Sequence, residues 1–259
     1  MPGVLRRVDL SEAERILYPV VPVLVTSEFK GRIGGMLAAW WTQLSFKPLL
    51  VGVAIAPERF TYKLVKSSGI FALNLIDFKY VDRTPLLGDV SERFYKGKLS
   101  KTGFTIVKGD VLGAPLIAEA SAALEAKLVK VVETGDHDLF VGEVKAAYAI
   151  DDFQGMWRLK TYKPLMYLGR TRRPEQVKRV YVTCRELEFK ELEYAPGDLR
   201  EYSNLRFKVL EEIERAVNLE ALSLEENLKL IEDVLRKYNV DPEDAVYYLE
   251  DVKRKKGLR

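Results

Sequence analysis

Histidine and cysteine each occur once in the 259 residues, at His137 and Cys184. A lone cysteine excludes an intrachain disulfide and a thiolate metal cluster. A lone histidine leaves any histidine-rich metal site or Ser-His-Asp triad resting on His137 by itself. No GxGxxG opens a helix, no GxxxxGK[ST] appears, and neither HExxH nor CxxC occurs, so the common dinucleotide, phosphate-loop and zinc signatures are missing. No run reaches the ~20 apolar residues that a membrane helix needs. The opening MPGVLRRVDLSEAERIL meets charge before any signal-peptide core. These absences predict a soluble protein of a reducing cytoplasm, with no metal and no membrane.

What is present suits a folded globular chain, with hydrophobic residues at 47% and charged ones at 31%. Charge is unevenly spread: residues 1–174 carry 25 basic and 18 acidic side chains, whereas residues 175–259 carry 16 and 20. A basic first part suits an anionic phosphate ligand, and a lysine-rich solvated surface explains it equally well. Abundant Lys, Glu, Arg and Tyr resembles the usage of thermophiles.

From Pro19 to Ile150 the chain reads mostly as strands. PVVPVLVTSEFKGRIGGMLAAW forms two around a Lys30-Gly31-Arg32 turn, and PLLVGVAIA and IFALNLID are short apolar runs of strand length. Between the last two, FTYKLVKSSG fits one short helix stopping at Gly69. That order alone would permit a βαβ unit. A long hairpin, ALEAKLVKVVE and LFVGEVKAAYAI across a TGDHD turn, instead favours an antiparallel barrel.

After about Arg173 the period changes. Leu205, Val209, Ile213 and Val217 recur every four residues, and Leu224, Leu228, Ile231, Leu235 and Tyr238 step by four and three, which are helix faces. Ser223 with Glu226 is a capping-box pattern, and Asp241-Pro242 marks another helix start, so three helices are predicted near residues 198–256. Two domains follow: 1–174, mainly β with α additions, and 175–259, a helical C-terminal extension. The basic run from Lys253 to Arg259 prompts a nucleic-acid reading, but the region around it is acidic overall and no nucleic-acid partner is predicted.

The most informative stretch runs from Gly31 to Leu75. Trp40 and Trp41 precede Thr42 and Ser45, and the next strand ends in Ala56-Pro57-Glu58-Arg59-Phe60-Thr61 at a helix start. Small residues admit a flat ring, and hydroxyls with an arginine at a helix N-terminus suit a phosphate. Taken one by one, the tryptophans would be core, Thr61 a helix cap and Arg59 surface. Taken in order, the segment resembles the flavin reductase-like family, the FMN-binding split barrels. The resemblance rests on Trp40 to Thr42, Ser45-Phe46-Lys47-Pro48-Leu49, Val51 to Ala56, Arg59-Phe60-Thr61 and Gly69-Ile70-Phe71-Ala72-Leu73-Asn74. It continues through Ser91-Glu92, Lys98-Leu99, Gly103 and the Gly135 to Val144 hairpin, covering roughly residues 15–170. Leu49 stands where the family has a second proline, Gly34-Gly35 where a polar residue is usual, and Glu92 where glycine follows the serine.

The resemblance implies an antiparallel split β-barrel, a homodimer with FMN (or FAD) near its interface, and NADH or NADPH as hydride donor. The implied cofactor contacts are Thr42, Ser45, Arg59 and Thr61, with Trp40, Trp41, Ala56 and Lys98 behind them. His137 falls near the open face of the flavin, where it would position the nicotinamide; on its own residues it reads as a capped turn with the ring in solvent. The implied activity is an NAD(P)H:flavin oxidoreductase. The alternative is an FMN-binding electron carrier or sensor that docks a redox partner through its C-terminal helices.

Overall fold

The computed structural model describes residues 5–153, 155, 157, 162–170, 178–183, 190–193 and 200–256. Cys184 and residues 257–259 of the basic tail lie outside them. A short helix α1 (Leu10–Ile16), for which the sequence gives no periodic signal, precedes strands β1 (Val23–Phe29), β2 (Arg32–Ala38), β3 (Trp41–Phe46) and β4 (Leu49–Ile55). Helix α2 (Phe60–Ser68), strand β5 (Ile70–Leu75), a 3-10 turn and helix α3 (Thr84–Asp89) follow. The short strands β6 (Ile106–Lys108) and β7 (Pro115–Ile117) lead to the long hairpin β8 (Ala122–Glu133) and β9 (Asp138–Ala149).

The main sheet has seven strands in the order β2-β1-β5-β8-β9-β4-β3, and every pairing is antiparallel. The strand-helix-strand run therefore makes no βαβ unit, because β4 and β5 lie apart in the sheet. Chain continuity from β2 into β3 joins the two ends of the order, and the amide of Ala54 donates to the carbonyl of Trp40 at 2.9 Å, carrying the β3–β4 ladder one residue into that connection. The sheet is thus curled into a split barrel. Alternate residues point inward: Val23 and Val25, Val51, Val53 and Ile55, Phe71 and Leu73, with Phe140, form its core. Leu24 faces the other way, onto Leu87, Leu99 and Ile117.

Helix α2 packs across β1 and β2, and this accounts for Gly34. A Cβ there would lie 2.8 Å from Leu64 Cδ1 and 3.1 Å from Phe60 Cδ1, so glycine admits the helix. The helix ends as predicted, at Gly69 with φ 69°.

Beyond the hairpin, β10 (Met166–Arg170), β11 (Lys178–Val182) and β12 (Lys190–Glu193) form a small antiparallel sheet. It spans the point where the sequence period changes, so strands continue into the region read as wholly helical. Each is four or five residues, too short for alternation to stand out. An isolated bridge between Val20 and Tyr167 ties this sheet to the chain entering β1. Helices α4 (Arg200–Ala216), α5 (Leu224–Lys237) and α6 (Ala245–Lys255) then pack on one another around Val209, Ile213, Ile231, Leu235 and Leu249. The predicted Ser223–Glu226 capping box is formed, and Asp241 caps a 3-10 turn that runs into α6.

Candidate functional site

A cavity of about 400 Å³ opens where the curled sheet meets the small one. Its floor is Met36 to Ala38 at the end of β2, Ala39 just beyond it, and Ala54 of β4. Trp40 and His137 stand on one side, and Tyr18, Tyr167 and Gly169 line another. Arg15 of α1, Arg59 before α2, Arg170 at the end of β10 and Arg179 of β11 also line it. Ala38, Ala39 and Ala54 leave room for a flat ring, and the arginines make the cavity suited to an anion.

The β8–β9 turn is closed by Thr134, not by imidazole: its amide and its Oγ1 both donate to the carbonyl of His137, at 3.2 and 2.7 Å. The ring is thereby free for the cavity, and its centroid lies 4.6 Å from that of Trp40. His137 Nδ1 is 2.8 Å from Asp136 Oδ1, which fixes the plane of the ring. Hydrogen bonding to His137 holds the Asp136 carboxyl below its ordinary range.

Arg59 is the N-cap of α2, in extended conformation with φ −78° and ψ 134°, and its side chain caps nothing. Thr61, read as a possible cap, sits inside the helix and is buried. With no acidic residue in the first turn, the helix start carries its partial positive charge uncompensated from within. Glu58 Oε1 lies 3.7 Å from Arg59 Nε. Arg179 is held by buried Asp89, whose Oδ1 accepts from its Nε at 2.6 Å. Burial pushes the Asp89 carboxyl up despite the guanidinium beside it. Arg15 Nη1 donates to the carbonyl of Arg170 at 2.9 Å, joining α1 to the rim.

Of the sequence-predicted residues, Trp40, Arg59 and His137 therefore meet in one cavity. The others stand elsewhere. Trp41 packs on the barrel core and its Nε1 donates to Val21 O at 2.7 Å. With Thr42 it lines a second, open cavity of about 540 Å³ that shares Ala39 with the first. Ser45 lies on the edge strand β3, paired with Leu50. Ala56 is buried, and its carbonyl accepts from the amide of Arg59 at 2.9 Å. Lys98 is only 4% exposed and donates to the carbonyls of Val90 at 2.7 Å and Leu87 at 3.4 Å. Burial pushes its pKa down to about 7. Glu92, in place of the family's glycine, accepts from the amides of Gly97 and Lys98 and so closes the same loop.

Sequence reasoning passed over Arg15, Tyr18, Tyr167, Arg170 and Arg179. They come from α1, the connection after it and the small sheet, outside the motif in sequence, and nothing local marks them. Among the described residues no group of three or more His, Cys, Asp or Glu is placed to hold a metal, and no helix is long and apolar enough to cross a membrane.

The model of the flavin reductase like domain matches residues 15–176, more than half of the chain. The chain belongs to that family. A protein of Aeropyrum pernix, itself uncharacterized, is 56% identical over 97% of this chain and 95% of its own length, so the likeness extends through the C-terminal helices. A ferric-chelate reductase (NAD(P)H) of Archaeoglobus fulgidus is 33% identical over 60% of this chain and 89% of that protein. Among solved structures, the flavoredoxin of Methanosarcina acetivorans superposes with TM-score 0.56 at 26% identity, covering 73% of this chain and 93% of that one. The FMN-binding protein of Thermus thermophilus gives 0.55 at 27%, covering 76% and 98%. These family members share the barrel; the fold is that of flavoprotein oxidoreductases.

Proposed function

We propose that the chain binds FMN in the 400 Å³ cavity and oxidises NADH or NADPH there. The observation that carries this reading is the meeting, in one cavity, of an apolar floor with three alanines, the Trp40–His137 pair and the Arg59 helix start. The donor set fits the cofactor: Arg59, Arg15 and Arg170 with the first amides of α2 would hold the phosphate, and the backbone of Ala38 and Ala39 would face the ring. FAD would enter by the same end. When bound, the flavin supplies the redox chemistry, accepting a hydride from the nicotinamide and passing electrons on. The chain's own part is to bind and orient. Trp40 offers a flat wall, and His137, its ring fixed by Asp136, orients the nicotinamide without needing to move a proton.

Thr42 and Ser45 enter this reading through a second copy of the chain. Leu44, Leu49 and Phe46, the last 83% exposed, line the free edge of the sheet beside the open apolar cavity that adjoins the first at Ala39. A homodimer that covers this edge would close both cavities. The likeness to flavoredoxins favours a second reading, an FMN-binding electron carrier that leaves NAD(P)H oxidation to a redox partner.

Anaerobic addition of NADH or NADPH to the flavin-loaded protein separates the two. Bleaching at a catalytically useful rate, slowed in His137→Ala with flavin retained, is the expected result. Bound flavin that does not bleach identifies the carrier, and unchanged reduction kinetics in His137→Ala remove that residue from the mechanism.

A further inference from the structure

The C-terminal helices touch the barrel at the anion end of the cavity. Arg206 of α4 places Nη2 3.1 Å from Glu58 Oε1, the same oxygen that lies 3.7 Å from Arg59 Nε. Glu58 is the residue before the α2 cap. An uncompensated carboxylate there would repel a phosphate and draw the Arg59 guanidinium away from it. The three side chains are 21–28% exposed, so water screens this effect only in part.

Further ion pairs join the helical unit to α2 and to its neighbours. Asp244, just before α6, pairs with Lys63 of α2 at 2.7 Å and with Arg93 at 2.5 Å, and Arg93 lies over the ring of Tyr247 at 3.9 Å. Asp241 accepts from Arg32 at 2.8 Å. The helical unit is thus tied to α2, which Arg59 caps, to β2 and to the loop that follows α3.

We infer that Arg206 is a positioning residue of the flavin site: by taking the charge of Glu58 it leaves Arg59 and the start of α2 available to the phosphate. This rests on the reading of Arg59 as a phosphate contact. It gives the appended helices a role in cofactor recognition besides any role in docking a partner. It also makes the phosphate, and not the ring, the part of the cofactor that senses them.

FMN and riboflavin differ by that phosphate, so their affinities for the full-length apoprotein read the effect directly. Arg206→Gln should weaken FMN about five- to tenfold, the size of one half-screened charge interaction, and leave riboflavin within about twofold. Adding Glu58→Gln to that variant should restore FMN binding, because the offending charge is gone. Arg206→Lys should bind FMN as wild type does. An unchanged ratio of FMN to riboflavin affinity in Arg206→Gln, or no recovery in the double variant, overturns the inference. Should Arg206→Gln not fold, Glu58→Gln alone decides: retained or tighter FMN binding supports the inference and weaker binding overturns it. Arg59→Ala is the control on the underlying reading. If it leaves the ratio unchanged, the phosphate assignment itself fails; if it collapses the ratio while Arg206→Gln does not, only the inference fails.

Discussion

Val25, Val53, Leu73 and Phe140 are fully buried on strands whose partners come from across the first 150 residues. Val209, Ile213, Ile231 and Leu235 are buried as deeply, but on helices that pack, among the described residues, on one another and on Phe94 of the loop after α3. The two regions also meet by different physics. The barrel closes on itself through backbone ladders, whereas the helical unit is held to it by charges: Arg93 and Asp244, each 1% exposed, with Lys63, Arg32–Asp241 and Arg206–Glu58. Apolar contact would attach an appendage to any greasy face. Paired charges specify one seat, and a broken pair leaves a buried ion behind.

That contrast sets the order of expected effects. Asp244→Ala should be the most severe, since it strands the Arg93 guanidinium in the seam; a loss of about 3–5 kcal/mol by urea unfolding is expected. A loss under about 1 kcal/mol would show the charged seam to be dispensable. Lys98→Met tests the barrel side. In the folded chain Lys98 gives up its proton near pH 7, and in the unfolded chain near 10.5. Between those values the unfolded state holds the extra proton, so this lysine makes stability rise with pH across that window and leaves a constant penalty below it. The variant should lose that rise, worth at most about 1.4 kcal/mol per pH unit; an unaltered slope between pH 7 and 10 would contradict the assignment. Smallest is Ser223→Ala, which removes the capping box of α5. It should cost about 1 kcal/mol and leave flavin affinity as it was, because the Ser223 side chain bonds to Glu226 and takes part in none of the seam pairs. A change in FMN binding there would mean that the helical unit transmits its stability to the cavity as a whole, and not through Arg206.

Much of this was legible in the sequence, for physical reasons that differ by region. The β1–β2 turn at Lys30-Gly31, the Gly69 stop, the long hairpin and the α5 capping box are local chemistry, and each forms where its residues predicted. Trp40, Arg59 and His137 were legible as members of an ordered motif, and the curl of the sheet brings them together. Lys98 matched the same motif, yet its ammonium is turned to the carbonyls of Val90 and Leu87, a choice made by loop packing that no spacing records. Arg15, Arg170 and Arg179 were illegible because their approach to Arg59 depends on the Val20–Tyr167 bridge and on a three-stranded sheet of very short strands. The charged seam was hidden likewise: no local pattern marks Arg93 or Asp244, which pair across 151 residues of chain.

The central claim is that the cavity between Trp40, Arg59 and His137 is a flavin site. The absorption spectrum of the purified full-length protein, with identification of any chromophore released on denaturation, tests it most directly. The expected result is a yellow protein, or an apoprotein that takes up FMN to saturation and loses that uptake in Arg59→Ala. A colourless protein that takes up no FMN would contradict it.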